Sequence, residues 1–269
     1  MAELETSVIG FDSAWTDNPK APGAVCAIRV GRDGSRSFCP PVLSRFGEAL
    51  EFIQHERAAA DRCLVALDQP TLVPNQSGMR PVEKVAAAVI SWIGGAQPTN
   101  RSKVGMFDDA APVWAFKSAL GAIEDPERAR QSKSGLFLME VFPALALPSF
   151  GECFCGPKRA PRYNPGNRKR FRPADWSAVV ATAEKIAAEM SVAGVSEWLS
   201  DLPTSPRKGN QDQLDALLCA LIGLRWLYAE RERSVMIGDL ALGYMVAPVV
   251  GEVLNRLRAA GIRQAVPVA

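Results

Sequence analysis

The sequence predicts one α/β domain with insertions. Short apolar runs bounded by turn residues alternate with helical patterns, and no internal repeat or low-complexity tract interrupts them. A chain of 269 residues with 48% hydrophobic and 22% charged side chains also buries one large core without disulfide staples. Ser7-Val-Ile-Gly-Phe-Asp12 is a short apolar strand ending in an acid, and Ala24 to Val30 is a second. Gly31-Arg-Asp-Gly34 then turns the chain into a third strand over Ser35 to Cys39. A helix is expected from about Arg45 to Asp61. Cys63-Leu-Val-Ala-Leu-Asp68 follows, too short for a helix and closed by Gln69-Pro70. Thr71 to Pro81 reads as loop, Val82 to Trp92 as helix, Gly94 to Met106 as loop and Pro112 to Ile123 as helix. Gly135 to Phe142 is apolar and β-prone around a single Glu140, with Pro143 closing it. Glu152 to Pro173 is a Pro- and Gly-rich loop, Ala174 to Met190 a helix, and Asn210 to Glu230 the most apolar helix of the chain. Ser234 to Val268 carries two short strands and an amphipathic helix from Val249 to Ala260.

Composition narrows the chemistry. Lys plus Arg total 31 against 29 acids, a net charge of +2, so no global field announces a nucleic acid, a membrane or an acidic substrate. No apolar run is long enough to span a bilayer, since Val235 to Leu254 is broken by Asp239, Pro248 and Glu252. The opening Met-Ala-Glu-Leu-Glu is acidic where a secretory signal is basic, and the expected location is the cytoplasm. Six scattered cysteines then read as reduced thiols. Cys153 and Cys155 form a Cys-x-Cys pair without the second pair that structural zinc requires, and their role stays open. The one histidine, His55, falls on a helix face beside Glu56 and Arg57, which disfavours Ser-His-Asp and Cys-His mechanisms. Carboxylates, lysines or a metal must carry any chemistry.

Apolar strands that end in acids are the informative feature. In open α/β sheets ligands bind beyond the strand ends, where a carboxylate can face a ligand while its strand stays buried. Asp12, Asp68 and Glu140 are candidates for one such site. Each has an ordinary alternative, as an Asp before a turn can bond its own backbone. The helix after Asn210 adds two acids. Asn210 is a good N-cap and Asp212 can complement the helix dipole, but Asp212 and Asp215 share the face that continues through Cys219, Ile222 and Trp226. Leu214, Leu217, Leu218 and Leu221 line a second flank, and Ala216, Ala220 and Gly223 leave a smooth third one, so the helix is enclosed on most sides. Carboxylates gathered there repel one another unless a cation neutralises them, and all-oxygen ligation suits Mg²⁺ or Mn²⁺. Two such ions about 4 Å apart can activate a water and stabilise the leaving oxygen of a phosphoryl displacement without any histidine.

An acid on the first strand of a three-strand meander, an acid ending a later strand, and Asp-x-x-Asp near the start of a late helix resemble the ribonuclease H-like nuclease superfamily, with RuvC-type resolvases closest in acid pattern. Val8-Ile-Gly-Phe-Asp12-Ser-Ala-Trp15, Leu67-Asp68-Gln-Pro70, Met139-Glu140-Val-Phe-Pro143-Ala144 and Asp212-Gln-Leu-Asp215-Ala216-Leu217 together look like the domain-of-unknown-function 429 family of predicted RNase H-like nucleases. The resemblance implies a mixed sheet flanked by helices, one RNase H-like domain over residues 1–269, and a basic loop insertion at 152–173. It implies Asp12, Asp68, Asp212 and Asp215 as metal ligands, with Glu140 an additional site acid. The loops from Gly94 to Met106 and from Glu152 to Pro173 match no resolvase motif.

Between Glu152 and Asp175 there is no acid, yet Lys158, Arg159, Arg162, Arg168, Lys169, Arg170 and Arg172 occur, interleaved with Tyr163 and Phe171. Such a cluster favours phosphate backbones, and the aromatics can stack on unpaired bases, so single-stranded or branched nucleic acid is the expected partner. A solvated loop balancing acids elsewhere is the alternative. Arg101 and Lys103 are candidates for further phosphate contacts, and Trp15 is expected to pack. The expected function is a divalent-metal-dependent phosphodiester hydrolase in which Asp12 and Asp215 hold the central metal while Asp68 and Asp212 complete the pair of sites. A non-catalytic nucleic-acid-binding module of the same fold is the second possibility. An actin- or sugar-kinase-like phosphotransferase is the third and ranks last, because the chain lacks a Gly-x-x-x-x-Gly-Lys phosphate loop.

Overall fold

A computed structural model of the chain describes residues 4–90, 98–157 and 159–269. The opening three runs form an antiparallel meander of β1 (Leu4–Asp12), β2 (Gly23–Gly31) and β3 (Arg36–Ser44). The third strand runs five residues past the expected Cys39, through Pro40 and Pro41. Those prolines sit where the β2–β3 register slips between Val25 and Ala27, a bulge that needs no N–H at those positions. Helix α1 (Phe46–Ala59) returns the chain to β4 (Ala60–Asp68), which pairs parallel with β1.

Next come α2 (Pro81–Ile90), α3 (Pro112–Leu120), α4 (Pro126–Gln131) and β5 (Gly135–Glu140), the last parallel to β4. Trp92, the expected end of α2, lies outside the described residues, as does the start of the Gly94 to Met106 loop. The expected helix to Ile123 stops three residues early, because Gly121 takes a left-handed conformation (φ 60°) that caps α3. Pro143 begins α5 (Pro143–Phe150) where the sequence suggested only a stop, since proline is also favoured at a first helical position. The chain continues through α6 (Pro173–Glu189), β6 (Val192–Ala193), α7 (Val195–Ser200) and α8 (Lys208–Tyr228). It closes with the hairpin of β7 (Ser234–Asp239) and β8 (Gly243–Pro248), then α9 (Gly251–Gln264).

Among the described residues the main sheet is mixed, in the order β5-β4-β1-β2-β3-β6, with helices on both faces. Strand alternation divides its core. Ile9, Phe11, Val65 and Leu67 pack against Phe46 and Ile53 of α1 and Phe116 of α3, where the Phe11, Phe46 and Phe116 rings lie 5.2 to 5.6 Å apart. Val8, Leu64 and Ala66 face α8 on the other side. This helix is buried almost all round from Leu214 to Leu227, as its continuous apolar surface requires. It lies tight on the sheet: a Cβ at Gly10 would overlap the Ala216 carbonyl and the Ala220 nitrogen, and one at Gly223 would come within 2.7 Å of the Val8 side chain. The β7–β8 hairpin, α2 and α9 enclose a third apolar cluster around Val85, Ile237 and Leu257. Among the described residues no helix is long and apolar enough to cross a membrane.

Candidate active site

The β1–β4 register places Asp12 directly beside Asp68, with the strands about 4.8 Å apart. Both acids follow the parity of Val8, Leu64 and Ala66, so they emerge on the face covered by α8. Two turns of that helix then deliver Lys208, Gln211, Asp212 and Asp215. The close seating at Gly10, two residues before Asp12 on the same face, brings Asp215 over the strand ends. Asp12, Asp68 and Asp215 line one cavity of about 300 Å³, together with Lys208, Gln211 and residues of the 159–172 loop.

The acids are held unlike one another. Asp215 is 4% exposed and accepts hydrogen bonds from Tyr163 Oη (2.7 Å) and from Gln211 Nε2. Burial pushes its pKa up to about 6, against the pull of Lys208 and these two donors. The Asp12 and Asp68 carboxylates accept no hydrogen bond from a described residue. Burial, and after it Asp68 and Asp215, hold the Asp12 carboxyl well above the ordinary range. Burial and Asp215 do the same to Asp68. Gln211 Oε1 is buried and has no partner among the described residues. Two acceptor-only carboxylates without donors and a spare carbonyl oxygen form a donor set that fits a hard divalent cation.

Lys208 is already among these acids. Its ammonium forms an ion pair with Asp212 one turn along α8. Burial works against the charged form, but Asp12, Asp212 and Asp215 outweigh it and hold its pKa above the ordinary lysine value. Asp212 does not line the 300 Å³ cavity. With Asp12 and Lys208 it lines a second cavity of about 240 Å³ on the Trp15 and Gly23 side. Among the described residues, no three His, Cys, Asp or Glu side chains are placed to hold a metal ion as they stand. Helix α8 begins at Lys208, so Asn210 is not the N-cap but the residue whose Oδ1 accepts from the Arg207 N–H (2.9 Å).

Glu140 needs a correction. It pairs with Leu67, one position short of Asp68, and so points to the opposite face of the sheet. Its oxygens accept from Arg80 Nη2 (2.6 Å), Arg80 Nη1 (3.0 Å) and the Thr71 N–H (2.8 Å). Arg80, fully buried, also binds Glu83 (3.0 Å). Glu140 is thus committed to a buried ion-pair network under the loop after β4, not to the acid cavity.

The basic loop folds over the site. Arg162 and Arg170 line the 300 Å³ cavity with Asn164, Asn167 and Phe171. Arg159, Arg168, Lys169 and Arg172 are exposed beyond it, and Lys158 lies outside the described residues. Tyr163 is buried under the loop, where its bond to Asp215 replaces the expected base stacking. The Arg162 N–H donates to Asp175 (2.7 Å) and the Arg172 N–H to the Arg162 carbonyl (2.8 Å), closing the loop's base. Arg101 is used internally, bound to Asp109 and the Val73 carbonyl and lying over Trp114. Trp15 packs edge-on against Phe107 and donates to the Asp68 carbonyl (3.3 Å), tying the two strand-end loops together. Both Trp15 (φ 48°) and Asp17 (φ 53°) are left-handed, an uncommon and strained conformation beside the acids. The cysteines are free, with Cys153 exposed, and His55 is exposed on α1.

Sequence reasoning missed Lys208, Gln211 and Arg80. A lysine in the first turn opposes the helix dipole and so signals nearby acids, and the isolated Glu140 on a buried strand already required a cation. No curated protein and no solved structure matches the chain. The family described as "Protein of unknown function (DUF429)" matches residues 10–240, a span that takes in Asp12, Asp68, Asp212, Asp215 and the whole basic loop. The chain belongs to the DUF429 family.

Proposed function

We propose that the protein is a divalent-metal-dependent phosphodiester hydrolase acting on nucleic acid. One observation carries the proposal: Asp12 and Asp68, side by side in register, share with Asp215 a cavity whose outer wall is Arg162 and Arg170. The finer reading of the sheet as RNase H-like is supported by the meander that carries Asp12 on its first strand, the adjacent parallel strand ending in Asp68, and the late helix bearing Asp212 and Asp215. Asp12, Asp68 and Asp215 would hold the ion, Mg²⁺ or Mn²⁺. When bound, such an ion supplies an activated water and stabilises the leaving oxygen. Tyr163 and Gln211 fix the Asp215 carboxylate by hydrogen bonds to both of its oxygens. Lys208 offsets part of the negative charge, and Arg162 and Arg170 attract the phosphates of an entering strand. Glu140, bound to Arg80, shapes the loop after Asp68 and borders a small cavity of about 50 Å³ with Asp68.

The test is cleavage of labelled single-stranded, branched and duplex DNA and RNA, and of a small phosphodiester, with and without Mg²⁺ or Mn²⁺. Metal-dependent cleavage that disappears in a folded Asp12→Asn variant is the expected result. Cleavage at the wild-type rate in that variant removes Asp12 from the mechanism. A non-catalytic nucleic-acid-binding module is favoured by one observation, the Lys208 ammonium seated among acids not gathered as a metal site. It predicts salt-sensitive binding that survives chelators and carboxylate substitution, with no cleavage.

A further inference from the structure

We infer that the site takes a single divalent cation, held by Asp12, Asp68 and Asp215, and that the Lys208 ammonium stands where a two-ion site would keep its second. This rests on the metal-dependent reading above and departs from the expected pair of ions. The acids fall into two groups that share Asp12. Asp68 and Asp215 line the 300 Å³ cavity and not the 240 Å³ one, Asp212 lines the 240 Å³ one and not the other, and Lys208 borders both. Asp212, the acid a second ion would need, is already paired with Lys208.

Two independent features agree. A lysine one residue into α8 faces the positive end of the helix dipole, so Asp12, Asp212 and Asp215 must be what holds it there. The Asp12 and Asp68 carboxylates accept no hydrogen bond from a described residue, and the orphaned Gln211 Oε1 belongs to a residue of the cavity they line with Asp215, whereas the Asp212 carboxylate already holds the Lys208 ammonium.

The experiment counts ions. Full-length wild-type protein, Lys208→Met, Lys208→Gln, Lys208→Arg and Asp212→Asn are titrated with Mn²⁺ alone, by calorimetry and by electron paramagnetic resonance of free Mn²⁺, after circular dichroism has confirmed folding. The expected counts are one ion per chain for wild type, Lys208→Arg and Asp212→Asn, and two for Lys208→Met and Lys208→Gln. Two ions on the wild type would overturn the inference while leaving the hydrolase reading intact. One ion on every folded Lys208 variant would overturn it as well, and so would loss of the ion in Asp212→Asn. No ion on any protein would remove both. If neither neutral Lys208 variant folds, Asp212→Asn decides, because a two-ion arrangement requires that acid and the single-ion arrangement does not.

Discussion

Asp12 is 7% exposed, has no hydrogen-bond donor among the described residues and shares a sheet end with Asp68. Its carboxyl, like those of Asp68 and Asp215, favours the neutral form in the folded chain. For an acid whose folded pKa is raised, the folded state binds more protons than the unfolded one, so stability falls as pH rises. For Asp215 the loss begins near the ordinary 3.8 and continues through about 6, and Asp12 and Asp68, raised in the same direction by burial, add to it. Asp12→Asn should therefore stabilise the metal-free protein at pH 8 by about 1–2 kcal/mol, a gain that vanishes near pH 4. Thermal melts in chelator at the two pH values measure this, and an unchanged or lower melting temperature at pH 8 refutes it. Tyr163→Phe removes a donor that lowers the Asp215 pKa. It should cost about 1 kcal/mol and move the Asp215 titration above 6, read by carboxyl carbon NMR.

Among elements, α8 decides the geometry because it rests directly on Gly10, two residues from Asp12. Gly10→Ala forces a methyl into the Ala216 carbonyl and should destabilise by about 1–3 kcal/mol while weakening Mn²⁺ binding. Gly47→Ala, on α1 with open space around it, should be neutral or stabilising by up to about 1 kcal/mol. Equal effects in the two variants would show that the helix seat is not tight. Replacing Arg80 by Met strands Glu140 and Glu83 without their cation and should cost about 3–5 kcal/mol in denaturant melts. Much of this was legible in the chain. Continuous apolar runs ending in Asp12 and Asp68 identify the strands and the shared edge of their terminal acids, because only a sheet end reconciles a buried run with a terminal acid. The smooth flank of Ala216, Ala220 and Gly223 read as part of an enclosed helix, and the structure seats it directly on Gly10 and Val8. Side-chain direction was not legible for Glu140, because one residue of register between β4 and β5 determines its face. Helix α5 was hidden because Pro143 both ends a strand and begins a helix. Lys208 was hidden because an Asn at 210 offers a better cap than the Arg207 backbone that serves.

Over the whole molecule, positive charge is concentrated on the loop roofing the acids, although the net charge is only +2. Replacing Arg162 and Arg170 together by Ala should weaken single-strand binding and reduce the slope of log affinity against log salt by about 1.4, near 0.7 per lost phosphate contact. An unchanged slope in fluorescence titrations would remove both arginines from the interface.

Helix α8 serves as both the central beam of the interior and the floor of the acid cleft. Few replacements along it can alter chemistry without also loosening the interior. A mutational survey that scores solubility and Mn²⁺ uptake separately would find the two traits fused along this helix and uncoupled over residues 159–172, which makes that roof the natural place to retune what the cleft accepts.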